Sequence, residues 1–214
     1  MGGNFSSEPA VFRVQARLWI SRALAGTLLV AFASGCAGVI TRTEPVADES
    51  TRPVLLLDHG RHTSLVLTRE DESLVRYLYG DWRWYAEGQT GLLRAVPTLF
   101  LPTRSALGRR ELTGPPAPDN VRRQIRVQID TIYLLTAKVS LIDRLDQRLE
   151  RHFAEREEEQ IFNADYDLEF VPGPRPYTLF FNSNHWVADW LRELGIDARG
   201  NPIFGHWRVE QGGS

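Results

Sequence analysis

The chain has 214 residues, 43% of them hydrophobic, and a formal charge of −2, enough for one core of ordinary size and not two. Of 25 basic and 27 acidic side chains, residues 1–35 hold only Arg13, Arg17, Arg22 and Glu8, so 22 and 26 remain beyond them. That balance excludes the broad basic footprint of a nucleic-acid binder and electrostatic adhesion to an anionic membrane, and the single cysteine excludes an intramolecular disulfide or a cysteine-rich zinc site.

Arg13 to Arg22 carries three arginines and is followed by the uncharged apolar run Ala23 to Ala33, which closes on Ser34-Gly35-Cys36. A positive head, an apolar middle and small residues at a cleavage point make a secretory signal rather than fold material. The only cysteine falls at that point. Residues 1–35 therefore read as a signal peptide, and 36–52 as Cys36 followed by a tether. The competing reading is an uncleaved membrane helix over Ala23 to Ile40, weakened by Gly26, Gly35 and Gly38. Met1-Gly2 also fits a loose myristoylation pattern, which the bacterial-type leader behind it marks as chance.

Ile40 to Arg52 is polar and contains Pro45, so it is expected to hold the domain off a membrane, with structure beginning at Pro53 and one domain over 53–214. Val54 to Leu57 and Ser64 to Leu67 predict a close strand pair. Leu74, Tyr77 and Leu78 ahead of Gly80 predict a short helix over Asp71 to Tyr79, and Asp81 to Tyr85 alternates like a half-buried strand. Thr90 to Leu101, broken by Pro97, predicts a kinked helix. Gly108 to Asn120, with three prolines, reads as a loop, and Ile125, Val127 and Ile129 within Val121 to Leu135 predict a strand. Ser140 with Asp143 resembles a capping box opening a helix on Leu141, Leu145 and Leu149, which the acidic run Glu155 to Glu159 ends. Tyr177 to Phe181 predicts a strand running into a helix that starts near Ser183, buries Val187, Trp190, Leu191 and Leu194, and stops at Gly195. Ile203 to Val209 predicts a closing strand.

Two segments place polar groups at the end of a regular element: Gly60-Arg-His-Thr-Ser64 at the head of a strand, and Asn182-Ser-Asn-His-Trp186 at the head of a helix. Singly, each has an ordinary explanation, a half-exposed histidine and a helix cap. A helix N-terminus also lowers the pKa of a nucleophile and can hold an oxyanion, and an imidazole across from it can take a proton.

The second segment resembles the Asn-Cys-Glu-His-Phe-Val element of the lecithin retinol acyltransferase group, a circularly permuted branch of the papain-like and NlpC-type superfamily in which the histidine strand precedes the cysteine helix. From Pro53 onward the ordering of elements is similar to an uncharacterised bacterial family, domain of unknown function 2459, often encoded near urease genes. Its Gly-x-His-Thr, Gly-Asp-aromatic and Asn-Cys-Asn-x-Trp patterns match Gly60 to Thr63, Gly80 to Tyr85 and Asn182 to Trp186. Ala33-Ser34-Gly35-Cys36 likewise looks like a bacterial lipobox. Acyl chains on Cys36, at roughly 0.8 kcal/mol per buried methylene, would anchor the chain, and Ala37 after it favours the outer membrane.

These resemblances imply an α+β fold of papain-like, permuted NlpC type, an antiparallel sheet of about five strands packed against helices, preceded by a lipoprotein signal peptide. They imply His62 as base, Ser183 at the nucleophile position and Asp81 as orienting group, with Asn182, His185, Trp84 and Trp186 around a binding cleft. The departure is serine where the family has cysteine: a hydroxyl needs a well-aligned base where a thiol does not. Three readings stay open: a hydrolase or acyltransferase acting on an envelope amide or ester, a noncatalytic binding module, and a structural lipoprotein. Peptidoglycan peptides and acyl lipids fit as ligands, the membrane as a partner through Cys36, nucleic acid does not, and no cofactor is implied. His59, His62, His185 and His206 offer nitrogen ligands, but no pair has the helical spacing of a zinc enzyme.

Overall fold

The structure, a computed structural model, describes residues 38–42, 50–89, 101–178, 181–200, 202 and 205–211. Cys36, the leader and most of the segment Thr90 to Leu101 lie outside these residues.

The fold is α+β. A seven-stranded antiparallel sheet has the order β6-β2-β3-β4-β5-β8-β7, built from β2 (Thr51–Asp58), β3 (Thr63–Thr68), β4 (Leu74–Asp81), β5 (Ser105–Leu112), β6 (Thr131–Lys138), β7 (Ile161–Asn163) and β8 (Leu168–Pro172). A three-stranded sheet sets β1 (Gly38–Arg42) between β9 (Asp197–Gly200) and β10 (Trp207–Gln211). The helices are α1 (Trp82–Tyr85), α2 (Pro118–Gln124), α3 (Val139–Ala154) and α4 (Ser183–Glu193). Among the described residues no helix is long and apolar enough to cross a membrane.

The strand pair expected from Val54 and Ser64 forms, with Leu56 opposite Leu65. Both faces of β2, β3 and β4 are covered. Val54, Leu56, Leu65, Leu67, Val75, Tyr77 and Tyr79 meet α3 and α4 in the main core. On the opposite face Leu55, Leu57, Val66 and Leu74 meet Val121 of α2 with Ile125 and Ile129, and Leu78 joins a third cluster with Trp82, Tyr85, Ala106 and Phe170.

Double coverage explains the largest corrections to the sequence reading. The helix expected over Asp71 to Tyr79 is instead strand β4, buried along its whole length. A strand with no wet face shows no alternation, and its Leu74, Tyr77 and Leu78 imitate helical spacing. The strand expected over Asp81 to Tyr85 is the single helical turn α1. The loop expected over Gly108 to Asn120 contains the end of β5 and the start of α2, which Pro118 opens. Ile125 and Ile129 are buried in one cluster as their alternation required, but they lie in an irregular segment between α2 and β6. The sheet also has more strands than the five expected.

α3 begins one residue before Ser140, with Lys138 as its cap and no side-chain capping bond; Asp143 pairs instead with Arg52. The acidic run follows as expected, in a 3-10 turn over Glu157–Glu159. Of the strand expected over Tyr177 to Phe181, the described residues form isolated bridges, Thr103 with Tyr177 and Thr178 with Phe181. α4 starts and stops as predicted, ending at Gly195 with φ 75° and the Ile196 N–H bonded to the Leu191 carbonyl at 2.9 Å. Structure begins before Pro53: β1, in the segment read as cleavage site and tether, pairs with both β9 and β10. Gly38 to Ile40 are strand, not the end of a helix.

Candidate functional site

Asn182 builds the site from its cap. Its side-chain oxygen accepts from the backbone N–H of Asn184 at 3.0 Å and of His185 at 3.4 Å, satisfying two of the donors a helix N-terminus leaves free. That cap fixes the first turn of α4, and with it Ser183.

The next residue ties this turn to the head of β3. The Asn184 carboxamide oxygen accepts from Thr63 Oγ1 at 2.9 Å, and its nitrogen donates to the Arg61 carbonyl at 3.2 Å. One buried side chain thus grips the residues on both sides of His62. Gly60, at φ 84° with its N–H bonded to Asp58 Oδ1 at 2.7 Å, and the His59 N–H bonded to the His62 carbonyl at 2.9 Å shape the turn that delivers the imidazole.

The two ends of the chain meet here: Ser183 Oγ lies 3.5 Å from His62 Nδ1. That separation is at the outer limit of a hydrogen bond. Ser183 is 1% exposed, and burial, aided by the Arg61 charge, pushes the His62 pKa down to about 4. The imidazole is therefore neutral at pH 7. Among the described residues nothing hydrogen-bonds its Nε2, so no acceptor there holds the tautomer in which the hydroxyl donates to Nδ1.

Tyr85 covers the imidazole edge-on, ring centroids 5.3 Å apart at 86°. Gly80 makes room for that ring, since a Cβ at position 80 would stand 2.2 Å from Tyr85 Cδ2.

The other expected site residues are distributed differently. Asp81, expected to orient His62, uses one carboxylate oxygen to accept from the Trp84 N–H at 2.9 Å and the other to accept from the Thr103 hydroxyl; it caps α1 and makes no hydrogen bond to His62. His185 places Nδ1 3.0 Å from Asn182 Oδ1 and its ring parallel to that of Phe181. Trp84 packs with the third cluster, whereas Trp186 belongs to the main core beside Tyr79, 4.6 Å between centroids. The two tryptophans expected around one cleft are thus in different clusters. A cleft of about 220 Å³ between α3 and α4 is lined by Tyr79, Leu149, Trp186 and Trp190 among others, and by neither His62 nor Ser183. Among the described residues no three His, Cys, Asp or Glu side chains are grouped to hold a metal ion.

Sequence reasoning missed Thr63, Gly80, Tyr85 and Asn184 as parts of the site. All four stand inside the segments Gly60 to Thr63, Gly80 to Tyr85 and Asn182 to Trp186, so the signal was present; what was missing was which of them touch. No family model, no curated protein and no solved structure matches the chain.

Proposed function

We propose that the chain is an envelope lipoprotein, anchored through acylated Cys36 at the outer membrane, whose domain is a permuted papain-like fold acting as a noncatalytic binding module. The observation that carries this reading is the state of the His62–Ser183 pair: a neutral, half-buried imidazole opposite a hydroxyl that is 1% exposed, with no carboxylate hydrogen-bonded to the ring among the described residues.

A thiol at position 183 would lose its proton to His62 and stabilise the imidazolium as an ion pair. A hydroxyl does not ionise there. It needs a base whose pKa lies near the working pH, and a group that stabilises the imidazolium as it forms. A base at about 4 is poorly matched to that task, and Asp81, the group expected to help, is engaged elsewhere. The ligands that fit an envelope address are peptidoglycan peptides and acyl lipids.

The experiment is co-sedimentation of the full chain with isolated peptidoglycan sacculi and, separately, with lipid vesicles. Ser183→Ala is expected to bind as the unsubstituted chain does; loss of binding on removal of one buried hydroxyl would contradict the reading. Labelling with an alkynyl fatty acid tests the anchor: Cys36→Ser is expected to abolish it.

The 3.5 Å approach of Ser183 to His62 favours a second reading, a slow serine hydrolase or acyltransferase acting on an envelope amide or ester. Hydroxyl–base contacts are commonly long before substrate binds.

A further inference from the structure

We propose that a compact monovalent anion, a halide or a small carboxylate, binds between the guanidinium of Arg76 and the hydroxyl of Tyr85, on the face of the seven-stranded sheet opposite α3 and α4. The inference does not depend on the role of Ser183.

Arg76 stands in the middle of β4, fully buried. Its neighbours along the strand on the same face, Leu74 and Leu78, belong to two different apolar clusters, so the guanidinium lies where the clusters part. Its contacts are neutral. Nε donates to Ser64 Oγ at 3.0 Å, and Nη2 lies 3.3 Å from His59 Nε2. His59 Nδ1 is 2.6 Å from the Gln128 carbonyl, which can only accept, so Nδ1 carries the ring proton and Nε2 is an acceptor without charge. Nη1 has no partner.

The residue directly opposite on β5 adds to the excess charge. It is Arg110, and like charges facing each other across a ladder repel. The Arg110 guanidinium turns to Asp167 at 2.8 Å and to the Gln124 carbonyl at 2.6 Å, and Arg126 shares the same Asp167 oxygen at 3.4 Å. The nearby carboxylate is thus committed to two other cations. Burial and Arg110 lower the Arg76 pKa only to about 10, so the side chain stays charged at neutral pH.

Tyr85 supplies a second orphan. Its hydroxyl is buried without a partner and feels the Arg76 charge. Burial holds it protonated, a donor seeking an acceptor. Asp167 acts on Arg76 from a distance, but no carboxylate among the described residues contacts it; a buried guanidinium with no counter-charge in contact is costly, and orphaned buried donors point to an ion or water that completes them. Water would satisfy the hydrogen bonds and leave the charge; an anion satisfies both. The apolar walls favour a compact, singly charged one.

Thermal unfolding of the full chain in detergent tests this at fixed ionic strength, with sodium chloride, sodium formate or the bulky sodium gluconate. Chloride, formate or both should raise Tm saturably by roughly a few degrees over gluconate, and the salt that does so identifies the anion. Arg76→Met should abolish the difference between salts, and Tyr85→Phe, which removes one donor and keeps the ring, should shrink it. The same Tm in all three salts, or an undiminished difference in Tyr85→Phe, would overturn the proposal even if Arg76→Met does not fold.

Discussion

Thr63 and Asn184, 121 positions apart in sequence, share a buried hydrogen bond of 2.9 Å that joins β3 to the first turn of α4. The same Asn184 side chain holds the Arg61 carbonyl. Asn184→Ala leaves both partners unsatisfied inside the protein, a loss on the order of 1–3 kcal/mol, and should lower the urea midpoint without changing the slope. Thr63→Val, which breaks one bond and keeps the shape, should cost less. Equal midpoints for Asn184→Ala and the unsubstituted chain would mean that the clamp contributes nothing.

Acid should weaken the fold in a defined window. His59 and His62 both fall to about 4 on folding, chiefly through burial, against about 6.5 in an unfolded chain. Folded values below unfolded ones mean that the unfolded state binds more protons between those limits. Stability is therefore fully present above about pH 6.5 and declines as pH falls toward about 4, by at most about 1.4 kcal/mol per pH unit for each histidine. Asp58, whose carboxyl is raised by burial, works in the opposite direction near the ordinary carboxylate range. Urea titrations at pH 7, 6, 5 and 4 check this, and a flat profile across them would contradict the lowered values of the two half-buried rings.

Gly80 is the seat of Tyr85 and so of His62. The added methyl of Gly80→Ala meets Tyr85 Cδ2 at 2.2 Å, from a ring that is itself buried, so the ring must move. A loss of roughly 1–3 kcal/mol is expected. With its cover displaced, the His62 imidazole should titrate closer to its ordinary value, which proton–carbon NMR of the ring reads directly. An unchanged titration would separate Tyr85 from the low pKa of His62.

Much of the site was legible in the sequence, and much of the sheet was not. The helix cap Asn182, the start of α4 and its stop at Gly195 are local devices, set by residues adjacent in sequence, and they stand where the sequence placed them. The juxtaposition of His62 and Ser183 was expected only from the resemblance of two short segments to a family with that order. β4 was misread because a strand buried on both faces loses the period of two; its Val75, Tyr77 and Tyr79 were the better guide, being residues that favour strands. The role expected of Asp81 failed to appear because an aspartate before a helical turn finds a nearer use as its cap. β1 was hidden because a strand of five residues completed by partners near the C-terminus has no local signature.

Ser183→Cys would put a thiol in place of the hydroxyl at the head of α4. A thiolate at the head of α4 gives His62 the counter-charge it lacks, so thiol and imidazole should ionise as a pair, with the thiol titrating below the ordinary value of about 8.5. The difference in absorbance at 240 nm between substituted and unsubstituted chains measures it. A thiol titrating at or above that ordinary value would show that the pocket does not support an ion pair.

The most direct test of the noncatalytic reading is intact-mass analysis of the full chain after prolonged incubation with a fluorophosphonate at pH 7. A neutral imidazole of low basicity beside a buried hydroxyl should leave the mass unchanged. An adduct mapped to Ser183 and absent from His62→Ala would establish an activated serine and contradict the account.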